Sequence, residues 1–188
     1  MKSQEELLSF LEEKGINGFL SDPEKHYLYK LGFEIKKYGE IGSFKGLSAI
    51  LVGLGMLESG KKNFQIFCID TFEMTNNEKK GLDPDYTYDA FIENISKFPE
   101  IKEKIKIVRG YSDQVRSQVP DKYFDVFFID GDHTYEGVSE DYKNYKKKLK
   151  LGGLMIFHDY SMAPGVTKLC NEIKAETKSH TISGIVIK

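Results

Sequence analysis

Short apolar segments alternate with amphipathic ones along most of this chain. Apolar runs predict strands at 38–41, 64–70, 104–108, 123–130 and 154–159. The segments between them have helical spacing and predict helices at 46–58, 86–98, 112–118 and 135–150. Continuous apolar runs are typical of parallel strands buried on both faces. The alternation therefore predicts an α/β fold, a doubly wound and mostly parallel sheet with helices on both faces.

Both ends of the chain add elements to this repeating unit. Ser3 and Glu6 form a capping-box pattern at the start of a predicted helix over 3–14. A second helix is predicted over 22–31, with Asp22 as its N-cap and Gly32 as its terminator. A helix at 166–176 and a last apolar run at 181–187 are predicted to close the sheet with an abbreviated C-terminal strand pair.

Composition and charge narrow the classes of protein to consider. With 27 basic and 29 acidic residues the net charge is −2, so we expect no nucleic-acid partner. The N-terminus lacks a signal-peptide pattern, and no apolar run approaches the roughly 20 residues of a membrane span. Cys68 and Cys170 lie far apart and are expected to be buried thiols. We therefore expect a cytoplasmic protein with no membrane partner.

Charged residues mark the ends of several predicted strands. The residues concerned are Glu40, Asp70, Asp130, His158 and Asp159. Ligands of open α/β sheets bind outside the carboxyl ends of the strands, and carboxylates are rarely buried without partners. These groups therefore predict a binding site on that edge, with Asp70 placed to accept the ribose hydroxyls of a nucleoside cofactor.

The segment 124–160 carries the densest group of such residues. Asp130, Asp132 and His133 share one turn, and a reversal predicted at Gly152 and Gly153 leads to the strand that ends in His158 and Asp159. Adjacent parallel strands would bring the two clusters within reach of one ion. Carboxylates with an imidazole suit Mg²⁺, Mn²⁺ or a similar divalent cation.

A competing interpretation places a strand at 49–52, followed by a dinucleotide-binding loop at Gly53, Gly55 and Gly60. This arrangement would imply an NAD-binding oxidoreductase. It leaves only about ten residues for the turn and helix, which is short for a βαβ crossover, and Glu58 stands where the pattern needs glycine. We therefore favour a helix over this segment.

Three motifs together resemble a known family. They are Glu40-Ile41-Gly42-Ser43-x-x-Gly46-x-Ser48, Cys68-Ile69-Asp70, and Ile129-Asp130-Gly131-Asp132-His133-x-Tyr135 with His158-Asp159-Tyr160. The chain from about Tyr27 onwards resembles the class I S-adenosylmethionine-dependent methyltransferases, and in particular the macrocin-O-methyltransferase-like (methyltransferase 24-type) group. The resemblance implies a Rossmann-like methyltransferase domain over 1–188. Residues 34–188 would be the cofactor-binding core, and 1–33 would cover the substrate together with the loop 72–85.

The resemblance also implies roles for individual residues. Those expected to bind S-adenosylmethionine are Glu40, Gly42, Ser43, Asp70, Thr71, Phe72, Ser112, Asp130 and His133. Those expected to hold a metal, with Mg²⁺ or another divalent cation as an optional second group, are Asp130, His158 and Asp159. His133 or Asp132 would be the catalytic base. Some metal-dependent relatives carry a carboxylate where this chain has His158.

The expected reaction is O-methylation of a small molecule or sugar hydroxyl, with assistance by the cation as an optional feature. The expected partner is a small hydroxyl compound, and a homodimer through the N-terminal helices is a further expectation. Two alternatives stay open on the same fold, a hydroxylase-like reaction without methyl transfer and a binding protein with a degraded site.

Overall fold

The structure, a computed structural model, describes residues 1–73 and 88–188. Within these ranges seven strands form one sheet: β1 (Lys37–Ile41), β2 (Gln65–Asp70), β3 (Ile105–Arg109), β4 (Phe124–Ile129), β5 (Leu149–Phe157), β6 (Glu176–Ser179) and β7 (Ile182–Val186). Their order is β3-β2-β1-β4-β5-β7-β6. Strands β1 to β5 are parallel, and β7 is antiparallel to both of its neighbours. This confirms the α/β prediction.

The helices flank this sheet. They are α1 (Gln4–Glu13), α2 (Asp22–Gly32), α3 (Leu47–Glu58), α4 (Tyr88–Ser96), α5 (Pro99–Lys102), α6 (Ser112–Val115), α7 (Tyr135–Tyr145) and α8 (Pro164–Glu172). Helix α3 covers the segment that the competing interpretation made a strand and a dinucleotide loop. The predicted start of the helix at residue 86 lies outside the described residues. Most of the loop 72–85 lies outside them as well. Every helix in the described ranges is too short or too polar to cross a bilayer.

Three local predictions are corrected by the structure. Helix α2 has Ser21, not Asp22, as its N-cap, and it includes Gly32 instead of ending before it. Gly152 and Gly153 lie inside β5, where the register of pairing with β4 shifts between Phe124 and Val126, so the structure has an irregular segment of one strand where a reversal was predicted. The last helix ends early enough for β6 to form, which gives the sheet a complete antiparallel hairpin.

Apolar side chains cover both faces of the sheet, as parallel strands require. Successive side chains along each strand point to opposite faces of the sheet, so the apolar side chains form two clusters, one on each face. On β2, Cys68 joins the cluster that contains α1, α2 and α3, whereas Phe67 joins the cluster that contains α7 and α8. Both cysteines are buried and free, as predicted.

Helices α2 and α3 pack unusually close at two glycines. A Cβ atom on Gly55 would lie 2.0 Å from the carbonyl oxygen of Tyr29, and one on Gly32 would lie 2.2 Å from that of Val52. The atoms in the way belong to the backbone, which cannot shift as easily as the end of a flexible side chain. The glycines of this segment therefore fix the N-terminal helices on the core.

We expect Gly55→Ala to lower the free energy of unfolding by about 2 kcal/mol, because its methyl group overlaps backbone. Gly53→Ala is the matched control on the same helix, since its Cβ would meet a side-chain methyl of Ile101 at 2.6 Å. Urea denaturation of both variants measures the difference. Equal losses would show that the α2–α3 approach is not tight.

Candidate functional site

Strands β1 to β3 are added in one direction across the sheet, and β4 and β5 are added on the other side of β1. A crevice therefore opens at the carboxyl ends of β1 and β4. Gly42 follows β1 with a φ of +85°, and a Cβ there would lie 1.9 Å from the carbonyl oxygen of Asp130. The Asp130 N–H donates to the Ile41 carbonyl at 2.9 Å. Only glycine therefore lets the loop after β1 pass so close to the loop after β4.

A cavity of about 910 Å³ lies at this crevice. Nine of the predicted site residues line it: Gly42, Asp70, Thr71, Ser112, Asp130, Asp132, His133, His158 and Asp159. The volume is within the usual range for a site that encloses a cofactor and a small substrate. Three further predicted residues, Glu40, Ser43 and Phe72, do not line it.

Asp70 joins two loops at the end of β2. One carboxylate oxygen accepts the backbone N–H of Phe44 at 2.9 Å, and the other accepts that of Phe72 at 2.7 Å. Asp70 therefore holds the two loops together and also lines the cavity.

Glu40 is fully buried beneath the cavity wall. Its carboxylate accepts a hydrogen bond from Ser48, which does line the cavity, at 2.8 Å. Burial raises the pKa of Glu40 to about 7, against the opposing effect of the neighbouring hydroxyls of Ser43 and Ser48. Glu40 thus lies one side chain away from any bound ligand.

Phe72 belongs to the core and not to the cavity wall. Its ring contacts those of Tyr88 and Phe91 at centroid distances of 5.2 and 5.0 Å. Ser43 is also buried, beside Glu40. Of the two residues predicted to flank the ribose, the structure therefore places only Thr71 at the cavity.

Asp141 is a site residue that the sequence analysis missed. It lines the cavity from α7 and accepts a hydrogen bond from the Ser112 hydroxyl at 2.5 Å. Burial raises its pKa to about 6, with further increases from Asp132 and other acids nearby. The available signal was an acid at the helical spacing of the buried residues Val138 and Tyr145.

Asp130, His133 and Asp159 form a cluster on the cavity wall. The His133 Nε2 lies 3.4 Å from the Asp130 carboxylate and 3.2 Å from that of Asp159. The hydrogen bond to Asp130 raises the pKa of His133, and the imidazole in turn lowers that of Asp130. One donor atom from each residue lies within 4.8 Å of the others, so two carboxylates and one imidazole fit a divalent cation.

His158 lies deeper and contacts carboxylates on both sides of its ring. Nδ1 is 3.1 Å from Asp130, and Nε2 is 3.4 Å from Glu24 of α2. Burial alone would lower its pKa, but the surrounding carboxylates raise it to about 12. A ring protonated on both nitrogens has no lone pair for a metal. The geometry favours His133 as the third donor, and the predicted metal role of His158 stays a prediction.

Asp132 lies in the turn before α7, two residues ahead of Thr134, the N-cap of that helix. Its carboxylate accepts the backbone N–H of Thr134 at 2.8 Å, and a Cβ on Gly137 would overlap its carboxyl carbon. Both side chains are exposed at the cavity, but Asp132 is occupied by a backbone N–H of its own turn, whereas the His133 imidazole contacts the carboxylates of Asp130 and Asp159. Of the two candidate bases, His133 is better placed to meet a substrate.

Comparison with known proteins gives a family match and one sequence relative. A family model described as a methyltransferase domain matches residues 40–160, more than half of the chain. An uncharacterised protein of Acanthamoeba polyphaga mimivirus, R132, is 28% identical over 149 residues. That alignment covers 73% of this chain and 61% of the viral protein, so the chain spans about three fifths of that relative's length.

Solved structures share the fold at low sequence identity. The O-methyltransferase NovP is 16% identical, with a TM-score of 0.73 over 91% of this chain and 82% of NovP. An O-methyltransferase from Bacillus cereus, solved with S-adenosylhomocysteine, is 16% identical, with a TM-score of 0.65 over 98% and 90% of the two chains. TomG from Streptomyces achromogenes, solved with S-adenosylmethionine, is 11% identical, with a TM-score of 0.66 over 98% of this chain and 89% of TomG.

Proposed function

Since the chain belongs to the methyltransferase-domain family, we propose that it transfers a methyl group from S-adenosylmethionine to a hydroxyl of a small molecule. The observation that carries the proposal is the single cavity at the β1–β4 crevice, which joins the Gly42 loop and Asp70 to the cluster of Asp130, His133 and Asp159. Two relatives of the same fold were solved with this cofactor or its demethylated product.

The cofactor supplies the methyl group when bound, and the chain orients it. Asp70, on the cavity wall at the end of β2, accepts the ribose hydroxyls, and Gly42 lets the methionine end approach backbone closely. Ser112, fixed by Asp141 and by the Tyr145 hydroxyl at 2.7 Å, faces the adenine. Glu40 acts through Ser48 instead of touching the cofactor directly.

His133 is the proposed general base. An imidazole on the cavity wall can take the proton of an acceptor hydroxyl as the oxygen attacks the methyl carbon. Asp130 and Asp159 orient the ring and stabilise the imidazolium that forms. With the cofactor bound, transfer of its methyl group would remove one positive charge from the site, and the protonated His133 would supply another.

A divalent cation is an optional part of the proposal. Asp130, Asp159 and His133 would hold it, and it would lower the pKa of an acceptor hydroxyl. His133 would then be a ligand and not the base. Exhaustive chelation separates the two cases, because loss of turnover restored by Mn²⁺ supports the ligand role and full turnover supports the base.

The N-terminal segment is the proposed cover of the acceptor. Gly18, Phe19 and Leu20, between α1 and α2, line the cavity. Phe19 is 65% exposed and its ring lies 5.3 Å from that of Phe44. An exposed phenylalanine at a cavity mouth is placed to contact an apolar part of the acceptor.

Calorimetric titration with S-adenosylhomocysteine, with and without Mn²⁺, tests the proposal. We expect Asp70→Asn to weaken binding roughly tenfold, because a neutral amide cannot accept from two backbone amides and a ribose together. Glu100→Gln on the exposed surface of α5 is the control. No binding to wild-type protein would refute the cofactor assignment. If the protein binds, a screen of phenols and sugars with labelled S-adenosylmethionine identifies an acceptor.

A further inference from the structure

Glu24 is a buried carboxylate that joins three separate parts of the chain. It is 2% exposed and lies in the first turn of α2. One oxygen accepts the backbone N–H and hydroxyl of Ser21 at 2.8 and 2.7 Å. The other accepts the backbone N–H and hydroxyl of Thr181, before β7, at 3.0 and 2.5 Å.

Glu24 also contacts His158, and this contact, unlike those with Ser21 and Thr181, involves a group that can carry a positive charge. Glu24 lies 3.4 Å from Nε2 on the ring edge opposite the one that faces Asp130 and Asp159. Ser21 and Thr181 would be satisfied by any acceptor, whereas a negative charge is matched to an imidazole that donates its Nε2 proton. Burial disfavours that charge, and the donors around it, His158 first, lower the pKa of Glu24.

The element that carries Glu24 is held rigidly. Helix α2 approaches α3 through Gly32 and Gly55 at distances that exclude a single methyl group. Glu24 is therefore fixed relative to the sheet by packing as well as by hydrogen bonds. A fixed carboxylate behind a histidine sets the ring orientation and keeps a proton on the nitrogen that faces it.

We propose that Glu24 is a positioning residue of the active site: it holds His158 with Nε2–H directed to α2 and Nδ1 directed to Asp130 and Asp159. This makes the N-terminal helix part of the catalytic arrangement and not only its cover. His158 then maintains the geometry of the two carboxylates that orient His133. The inference rests on the proposed function for its catalytic meaning, whereas the orientation of His158 is measurable without turnover.

The first test is a nitrogen-15 spectrum of the histidine rings in wild-type protein at pH 7. The chain has four histidines, and His158→Asn assigns the His158 signals. We expect a hydrogen-bonded proton on Nε2 of His158. A ring without a proton on Nε2 would overturn the proposal, and this result does not depend on any variant at position 24.

The second test compares Glu24→Gln with Asp22→Asn, an exposed acid on the same helix, and with Thr181→Val, which removes one donor to Glu24. We expect Glu24→Gln to shift the His158 ring signals and to lower kcat about tenfold for the best acceptor, with little change in KM or in S-adenosylhomocysteine affinity. A merely structural Glu24 would instead lower the melting temperature in Glu24→Gln and Thr181→Val alike, with His158 signals unchanged in both.

The two proposals fail in different ways. A protein that binds no S-adenosylhomocysteine refutes the proposed function, and the ring signals still decide the orientation of His158. If Glu24→Gln does not fold, the wild-type spectrum decides, and Glu24→Asp, which keeps the charge, is expected to restore folding with displaced His158 signals.

Discussion

Replacing His133 by alanine is expected to lower kcat by about 10²–10⁴-fold, the usual contribution of a general base. The imidazole is the exposed member of its cluster. Among the residues that the structure describes, its polar contacts are with Asp130 and Asp159. Its loss should therefore leave the fold intact. Turnover is measured in chelator with the best hydroxyl acceptor, and S-adenosylhomocysteine affinity is measured beside it.

Comparing the change in kcat with the change in S-adenosylhomocysteine affinity distinguishes the two roles expected for His133. A large fall in kcat with unchanged affinity identifies the base, whereas a comparable fall in affinity identifies a cofactor contact. His26→Ala, on α2 and outside the cavity lining, is the histidine control. Unchanged turnover in His133→Ala would remove it from catalysis and direct attention to Asp132.

The sequence predicted the sheet because its signal is local. Apolar runs that end in Asp70, Asp130 and His158 define both the strands and the edge at which they end, and parallel strands necessarily gather those ends. The glycine loop was predictable for the same reason, since Gly42 follows a strand directly. The position of the cavity could thus be predicted from residue order, whereas the resemblance to a known family supplied others of the nine predicted residues that line it, such as Thr71 and Ser112.

The residues that sequence reasoning misplaced depend on long-range packing. Glu24 is 134 positions from His158, and no pattern in the chain connects them. Asp141 reads as a polar residue on a charged helix until the structure shows Ser112 beside it. Phe72 follows Asp70 so closely that a cavity contact was expected, yet its ring turns into the core. The direction of a side chain just after the end of a strand is set by its packing, and this packing cannot be predicted from the local sequence.

The burial of Glu40 lowers the stability of the folded protein at neutral pH, and this effect can be measured. Its pKa is about 7 in the folded protein, against 4.5 as its ordinary value. The unfolded chain therefore loses this proton first as pH rises. Stability from the neutral carboxyl is complete below pH 4.5 and is lost between pH 4.5 and 7, which amounts to about 3 kcal/mol.

We expect Glu40→Gln to unfold with a free energy about 3 kcal/mol above wild type at pH 8 and nearly equal to it at pH 5, since glutamine resembles the protonated carboxyl in shape and charge. Urea denaturation at the two pH values measures both differences, and subtracting wild type removes the contribution of other titrating groups. Glu100→Gln should show no pH-dependent gain. An equal gain at both pH values would mean that packing, and not the buried charge, separates the proteins. A gain at pH 8 combined with weaker S-adenosylhomocysteine binding would show that the chain keeps a destabilising carboxylate because the cofactor site uses it.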